Sequence, residues 1–216
     1  MDRERVISKI KELRESSKER SFSQTVDLVA NLQNLNLKLP DHRVETGVTL
    51  STPLKPKNFK VCAVIDSSLK EAEEIFDKVI YKEDLESMKG DIEKIRAVTH
   101  SNDRFVVMSS LMPLFAQVLG KYLGPLNKMP SPKLGMVITP GTDLNQLYDK
   151  MQKSVHIQVK KSPLVQVPVG GEKESDEVLA DNILAVYEAL VSSLPQEKQN
   201  VRNIGIKFTM SKLVVL

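Results

Sequence analysis

The sequence is short of the residues that carry most redox, metal and aromatic stacking chemistry. Its 216 residues include one cysteine and no tryptophan, and only 5% are aromatic. A single cysteine excludes an internal disulfide and is typical of a reducing compartment. Because Cys62 lies in the apolar run of residues 61–65, we expect its thiol to be buried. The three histidines lack the spacing of metal ligands, so we expect no metal site.

Long apolar runs and a strong charge of one sign are also missing. No run of about 18 apolar residues is present, so we expect no membrane-spanning segment and no membrane partner. The first 20 residues mix basic with acidic side chains around no apolar core, which is unlike a targeting peptide and favours a cytosolic protein. The net charge of +3 does not by itself predict nucleic-acid binding, although the excess falls in residues 1–60.

The glycine-rich motifs that hold nucleotide phosphates are absent from the sequence. It contains neither G-x-G-x-x-G nor G-x-x-x-x-G-K-[ST], and we interpret Gly170-Gly171 as a plain turn. No histidine lies in the context of a catalytic nucleophile. We therefore expect no catalytic residue, no cofactor and no small-molecule substrate. A nucleotide-using enzyme built on residues 61–153 is kept as a distant alternative.

Hydrophobic periodicity divides the chain into segments of two kinds. The middle of the chain alternates strands with helices, which is typical of a small doubly wound sheet, parallel or mixed. Its predicted strands are residues 59–65, 104–109 and 136–139, and its predicted helices are residues 69–79, 111–121 and 144–152. The flanking segments predict helices over residues 2–17 and 175–194, and strands over residues 25–32, 44–51, 155–160, 164–169, 201–208 and 212–216.

The boundaries between these segments predict an insertion. A proline-broken connector, residues 52–58, precedes the change in pattern, and the original pattern returns after residue 153. The simplest architecture is an α/β domain of residues 61–153 inserted into a discontinuous α+β domain of residues 1–60 and 154–216. Both chain ends then belong to the outer domain.

Polar residues suited to RNA lie in both terminal segments. Thr209-Met210 is flanked by Lys207 and Lys212, and a second polar segment, residues 18–26, opens the first strand. Hydroxyls, a flexible thioether and cations suit a ribose-phosphate surface. If the two ends share one sheet, these segments converge, and this favours RNA binding over catalysis.

Five motifs occur in the order and spacing of a known family. They are Phe22-x-x-Thr25-Val26-Asp27-Leu28, Leu123-Gly124-Pro125-Leu126-Asn127-Lys128, Pro168-Val169-Gly170, Gln199-Asn200-Val201-Arg202 and Ile206-Lys207-Phe208-Thr209-Met210. Nearly end to end, the sequence resembles the universal large-subunit ribosomal protein L-one family in its archaeal and eukaryotic form. The resemblance implies a two-layer α+β outer domain interrupted by an inserted Rossmann-like three-layer α/β domain.

The same resemblance implies a structural constituent of the large ribosomal subunit. Such a protein binds large-subunit rRNA at the mobile stalk, meets tRNA in the exit site and assists the release of deacylated tRNA. Relatives also repress their own mRNA, which makes that mRNA a further expected partner. We expect a cytoplasmic location on the large subunit, with assembly in the nucleolus if the source is eukaryotic.

A ribosome-assembly factor with the same domain is the nearest alternative function. Such relatives tend to carry long lysine-rich tails, whereas this sequence stops at Leu216, directly after its last predicted strand. We therefore favour the ribosomal protein.

Carried over residue by residue, the resemblance implies an RNA site in the outer domain. Its members are Phe22 and Thr25 on the first strand, Lys161 on the return strand, and Thr209, Met210 and Ser211 at the end, with Lys18 and Arg20 adding phosphate contacts. Other interpretations stay open at this point: core packing for Phe22, packing within a strand for Met210, and solvated surface charge for the three cations.

Three positions within this site depart from the family pattern. Phe208 stands where serine is usual, Ser211 where glycine is usual, and Gln24 where glutamate is common. Glycine permits positive φ and close backbone approach, so we expect Ser211 to strain the turn or to hold the RNA further away. We expect Phe208 to stack or to fill a gap. The loop around residues 127–130 is also shorter than usual.

Overall fold

The computed structural model describes residues 1–39, 42–54, 59–67, 69, 71–139, 141–160 and 162–216. The chain separates into two compact units. The outer unit comprises Met1–Asn58 and Lys153–Leu216, and the inner unit comprises Phe59–Gln152. These limits lie one or two residues from the predicted boundaries.

Helices and strands occur along the whole chain. In order they are α1 (Arg3–Ser16), β1 (Thr25–Leu32), β2 (Val44–Thr49), β3 (Val61–Ile65), α2 (Ala72–Ile75), β4 (Lys78–Tyr81), α3 (Lys82–Ser87), α4 (Ile92–Ser101), β5 (Arg104–Met108), α5 (Met112–Leu123), β6 (Val137–Ile138), α6 (Leu144–Lys153), β7 (Ser154–Val159), β8 (Leu164–Gly171), α7 (Asp176–Ser193), β9 (Val201–Phe208) and β10 (Val214–Val215). Single 3-10 turns lie at Ser109–Leu111, Pro132–Leu134 and Glu197–Asn200.

An antiparallel sheet joins the two ends of the chain in the outer unit. Its strand order is β10-β9-β1-β8, and β2 pairs with β7 in a separate two-stranded ribbon. The helices α1 and α7 pack against each other and against this sheet. Because strand side chains alternate between faces, every second residue of β1 is buried beneath the helices. These residues are the four predicted from the alternation, Val26, Leu28, Ala30 and Leu32.

The inner unit is a parallel sheet covered on both faces. Its order is β4-β3-β5-β6, and all three strand pairings are parallel. β3 is buried along its whole length, with Cys62 and Val64 in one core cluster and Val61, Ala63 and Ile65 in the other. The mixed fold predicted from the sequence, an α+β domain interrupted by a three-layer α/β domain, is confirmed.

The buried position of Cys62 is also confirmed. Its side chain has no exposed surface, and burial raises the pKa of the thiol to about 12. Desolvation disfavours the thiolate, which is the reactive form of cysteine. Cys62 is therefore an inert core residue in the native protein.

Part of the secondary structure predicted for the middle of the chain is wrong. The predicted helix of residues 69–79 is helical only over Ala72–Ile75, and Lys78–Tyr81 forms the edge strand β4. The apolar residues of this strand continue the helical spacing of the preceding turn, so periodicity merged two elements. The helices α3 and α4 were not predicted, because their charged surfaces obscure narrow apolar stripes.

The interpretation of Gly170-Gly171 as a plain turn is wrong as well. Both glycines belong to the end of β8, where Gly170 pairs with Val26. A Cβ atom on Gly170 would lie 2.5 Å from Leu179 Cδ2 and 2.7 Å from Glu174 Oε2. Any larger residue at Gly170 would therefore require the side chains of Leu179 and Glu174 to shift.

Two of the predictions fall on residues outside the described ones. Residues 55–58 of the predicted connector and Lys161 are outside the described residues. No described helix combines the length and the apolar character needed to cross a bilayer.

Candidate nucleic-acid interface

The two terminal segments meet at one end of the outer sheet. The register of β1 and β9 pairs Val26 with Phe208, which places Thr25 opposite Thr209. Thr209 N donates to Thr25 O at 3.1 Å, and Thr25 N donates to Thr209 Oγ1 at 3.3 Å. The two hydroxyl oxygens lie 3.0 Å apart. The structure therefore brings these two candidate residues together as a hydrogen-bonded pair.

A tight turn follows β9 and presents the next candidate residue to solvent. Phe208 N donates to Ser211 Oγ at 2.8 Å, and Ser211 N donates to Phe208 O at 3.2 Å. Between them, Met210 has 61% of its surface exposed. Packing of Met210 within a strand is therefore excluded. The Thr209-Met210 pair lies in this turn between β9 and β10, at the break between the predicted strands of residues 201–208 and 212–216.

Gln24 holds this turn from the neighbouring chain segment. Its Oε1 accepts a hydrogen bond from Met210 N at 3.1 Å. Its own backbone is fixed by Glu172, because Gln24 N donates to Glu172 Oε2 at 3.0 Å and Glu172 N donates to Gln24 O at 2.9 Å. Only 2% of Gln24 is exposed. We did not identify this role from the sequence, where Gln24 is only a departure from a family pattern.

The loop that carries Glu172 is in turn held by α1. The Arg14 guanidinium donates to the backbone oxygens of Glu172 and Glu174 and to the carboxylate of Asp176. The Glu174 carboxylate accepts from Gly171 N at 3.1 Å and from Thr52 Oγ1 at 3.1 Å. These contacts make the loop part of the folded outer unit. Nothing in the spacing along the sequence indicates the Arg14 contacts, since the bond from Arg14 to Glu174 O joins residues 160 positions apart.

A β-bulge adjoins the threonine pair. The register of β1 against β8 shifts between Val26 and Asp27, so that Thr25 faces Gly171 and Asp27 faces Pro168. Bulges increase the local twist of a sheet and change the direction of nearby side chains. This bulge lies at the end of β1 that carries the candidate residues.

The remaining candidates that the structure describes are exposed side chains. Phe22 is 51% exposed, so it is not a core residue. Lys18 and Arg20 are exposed in the segment between α1 and β1, and neither bonds to another described residue. Lys161 lies outside the described residues.

This geometry can be set beside known proteins. A model of the ribosomal protein L1p/L10e family matches residues 13–212. The chain belongs to that family. It is 34% identical over 215 residues to the large ribosomal subunit protein uL1 of Pyrococcus horikoshii, covering 99% of this chain and 95% of that protein. The uL1 proteins of Methanocaldococcus jannaschii and Nanoarchaeum equitans are 32% identical over 215 residues and 35% identical over 213 residues, covering 99% and 96% of this chain and 95% and 97% of those proteins.

Members of the L1p/L10e family are structural ribosomal proteins and not enzymes. The predicted absence of catalysis is confirmed by this membership, and the nucleotide-using enzyme is set aside. Among the described residues, no group of three or more histidine, cysteine, aspartate or glutamate side chains is arranged to hold a metal ion.

Two departures from the family pattern acquire structural explanations. Phe208 is 1% exposed, so its ring fills the core beneath the sheet and does not stack at the surface. The described non-glycine residues with positive φ are Asn34, Asn127 and Glu197. Ser211 is not one of them, so the expected backbone strain is wrong, and its hydroxyl instead closes the turn.

The family-like motif of the inner unit, residues 123–128, makes contacts within the protein. Lys128 Nζ donates to Thr99 O at 2.9 Å and to Asn102 O at 2.7 Å, and both acceptors lie at the C-terminal end of α4. A cation at this end satisfies carbonyls that lack helical partners and complements the helix dipole. Leu123 of the same motif is fully buried. The motif therefore stabilises the inner unit.

Proposed function

We propose that the outer unit binds a folded helical element of large-subunit rRNA through the end of its sheet. The observation that carries the proposal is the Thr25–Thr209 pair, with hydroxyl oxygens 3.0 Å apart, beside the exposed side chain of Met210. The proposed contacts are those of the sequence-derived site: Lys18, Arg20, Phe22, Thr25, Lys161, Thr209, Met210 and Ser211.

The chemistry of the threonine pair suits ribose. Each hydroxyl donates one proton and accepts at two lone pairs, so the pair keeps acceptors and a proton for a ligand after its internal bond. Structured RNA is recognised through 2′-hydroxyls, phosphates and shape more than through base edges in its deep major groove. Met210 and Phe22 offer apolar surface to sugars or to an unpaired base.

The exposed cations would add an electrostatic contribution. Lys18 and Arg20 lie in the segment that leads into β1, and neither is neutralised by a described partner. Each phosphate that a cation neutralises releases counterions, so binding should weaken steadily as salt rises. The cations would set affinity and orientation, and the neutral groups would recognise ribose.

The proposed cellular role follows from the named relatives. Their names place them in the large ribosomal subunit, and we infer that this chain is a structural constituent of that subunit, located on cytoplasmic ribosomes. We further propose that it lies at the mobile stalk near the tRNA exit site, where the inner unit assists release of deacylated tRNA. Its own mRNA is a second proposed ligand of the outer unit.

A double substitution tests the proposed site. Thr209→Ala with Met210→Ala should weaken binding to a transcribed stalk helix of large-subunit rRNA by at least about fivefold, since two to three contacts of about 0.5–1.5 kcal/mol each are lost. The matched control is Leu164→Ala with Asn203→Ala, an apolar and a polar truncation at the opposite end of the same sheet. Titration by filter binding measures both. A folded double variant with wild-type affinity would remove these two residues from the site.

Cosedimentation of tagged protein with ribosomes tests the cellular role. We expect the protein on mature large subunits and on translating ribosomes, with loss at increasing salt. Confinement to nuclear precursor particles would support the assembly factor in place of the ribosomal protein. Absence from both fractions would contradict a ribosomal role.

A further inference from the structure

Gln24 has an amide whose two halves are used differently. Its Oε1 accepts from Met210 N at 3.1 Å, and this bond fixes the orientation of the amide, because the reversed group would place Nε2 against another donor. The Gln24 backbone is bonded in both directions to Glu172, and only 2% of the residue is exposed, so little space is left for the side chain to turn away.

The other half of the amide has no partner among the residues that the structure describes. Nε2 carries two protons and makes no hydrogen bond with any described residue. It is not one of the fully enclosed polar atoms that lack a partner, so it reaches the small part of Gln24 that is accessible. Because only 2% of Gln24 is exposed, this donor meets solvent over a small area, where a ligand atom can take the place of water.

The groups around this donor indicate what the ligand is. Thr25, Thr209 and Met210 are uncharged, and the carboxylate bonded to Gln24 is that of Glu172. A carboxylate repels phosphate, whereas a neutral amide beside two hydroxyls suits a ribose hydroxyl.

We propose that Gln24 Nε2 donates a hydrogen bond to a ribose 2′-hydroxyl oxygen of the bound RNA, while Oε1 positions the Thr209-Met210 turn. The inference rests on the proposed function and adds Gln24 as a specificity-determining residue that distinguishes RNA from DNA at this point. The substitution of glutamine for glutamate then supplies a donor where a carboxylate can only accept.

Two variants separate the donor from the acceptor. Gln24→Glu keeps an oxygen for Met210 N and removes the donor, and Gln24→Met removes both without adding charge. Gln117→Glu is the charge control, because Gln117 is exposed on α5 in the inner unit. Thermal unfolding establishes that each variant is folded before RNA is added.

The test is a set of stalk-helix RNAs, each carrying one 2′-deoxy nucleotide, titrated against wild type and the variants. We expect both Gln24 variants to bind the unmodified RNA about fivefold to tenfold more weakly, and Gln117→Glu to bind as wild type does. One 2′-deoxy position that weakens wild-type binding should have no effect on the Gln24 variants, because the same contact is already missing.

The results distinguish failure of this inference from failure of the proposed function. Wild-type affinity in both Gln24 variants, or identical 2′-deoxy penalties in wild type and variants, would overturn the role of Gln24 and leave the rRNA site standing. Failure of the wild-type protein to bind the stalk helix at all would overturn the proposed function and this inference with it.

Discussion

The outer and inner units each contain a motif with polar and basic residues: residues 206–211 in the outer unit and residues 123–128 in the inner unit. The two motifs differ in whether their side chains bond within the protein. In the outer unit, backbone groups of the turn after β9 form hydrogen bonds within the protein, and Met210 remains 61% exposed. In the inner unit, the Lys128 ammonium group donates hydrogen bonds to two carbonyls at the end of α4. The first motif keeps side-chain chemistry for a ligand, and the second does not.

The difference comes from the structural surroundings of each motif. In the outer unit, α1 and α7 pack against the antiparallel sheet, and the polar side chains that follow the end of β9 remain accessible. The parallel inner sheet has helices and core clusters on both faces, so a cation near it finds unpaired helix carbonyls. A motif is therefore assigned a role by following its hydrogen bonds and not by its composition.

The largest effect that would sharpen this comparison concerns two phenylalanines of the outer unit. Phe208→Ser restores the residue usual in the family, yet it should cost at least about 3–5 kcal/mol of unfolding free energy, because Phe208 is buried and the change leaves a cavity. Phe22→Ser should cost less than about 1 kcal/mol and weaken RNA binding instead, because Phe22 is exposed. Urea unfolding and RNA titration measure the pair. Equal stabilities would contradict the placement of Phe208 in the core.

The next effect tests whether residues 123–128 have the structural role assigned to them in the inner unit. Lys128→Met removes both carbonyl contacts and should cost the inner unit about 1.5–3 kcal/mol, whereas Lys121→Met, on the exposed side of α5, should cost little. Cys62 reports this directly: burial raises the pKa of its thiol to about 12, so it reacts with a thiol reagent only when the inner unit opens.

Faster labelling of Cys62 in the Lys128 variant with unchanged rRNA affinity is the expected result. Unchanged labelling with weaker rRNA binding would instead make Lys128 a ligand contact, and the contrast between the two motifs would then fail.

The smallest effect compares one glycine from each unit. Gly170→Ala should destabilise the outer unit by about 1–3 kcal/mol, because the new Cβ meets Leu179 and Glu174 at 2.5 Å and 2.7 Å. Gly120→Ala should stabilise α5 by about 0.5–1 kcal/mol, because nothing lies within 4 Å of a Cβ there and alanine favours helix. Calorimetry of both variants gives the two signs. Stabilisation by Gly170→Ala would mean that Glu174 and Leu179 move aside without loss.

Local periodicity was enough to predict much of the fold. β1, β9 and α7 have strong patterns bounded by clear signals, and the predicted strands 25–32 and 201–208 agree with Thr25–Leu32 and Val201–Phe208. The helix predicted over residues 69–79 failed because a single helical turn runs into an edge strand with its apolar residues in helical phase. Periodicity cannot separate two short elements that share one phase.

The candidate site was predictable where it depends on residue type and not where it depends on distant contacts. Thr25, Thr209 and Met210 carry recognisable chemistry and stand in recognisable motifs. Gln24 and Arg14 act through bonds to Met210 and to the loop of Glu172, which lie far away in the sequence. In the sequence, Phe208 is only a departure from the family pattern. Its burial becomes evident from the register of β9, which turns its ring toward the helices.

Hydrogen exchange of the full chain, with and without the stalk helix of large-subunit rRNA, tests the central claim most directly. We predict slower exchange of the backbone amides of residues 24–25 and 209–211 on RNA binding, with no change over residues 123–128. Slower exchange over residues 123–128 with no change at either terminal segment would contradict the account, because it would place the RNA on the inner unit.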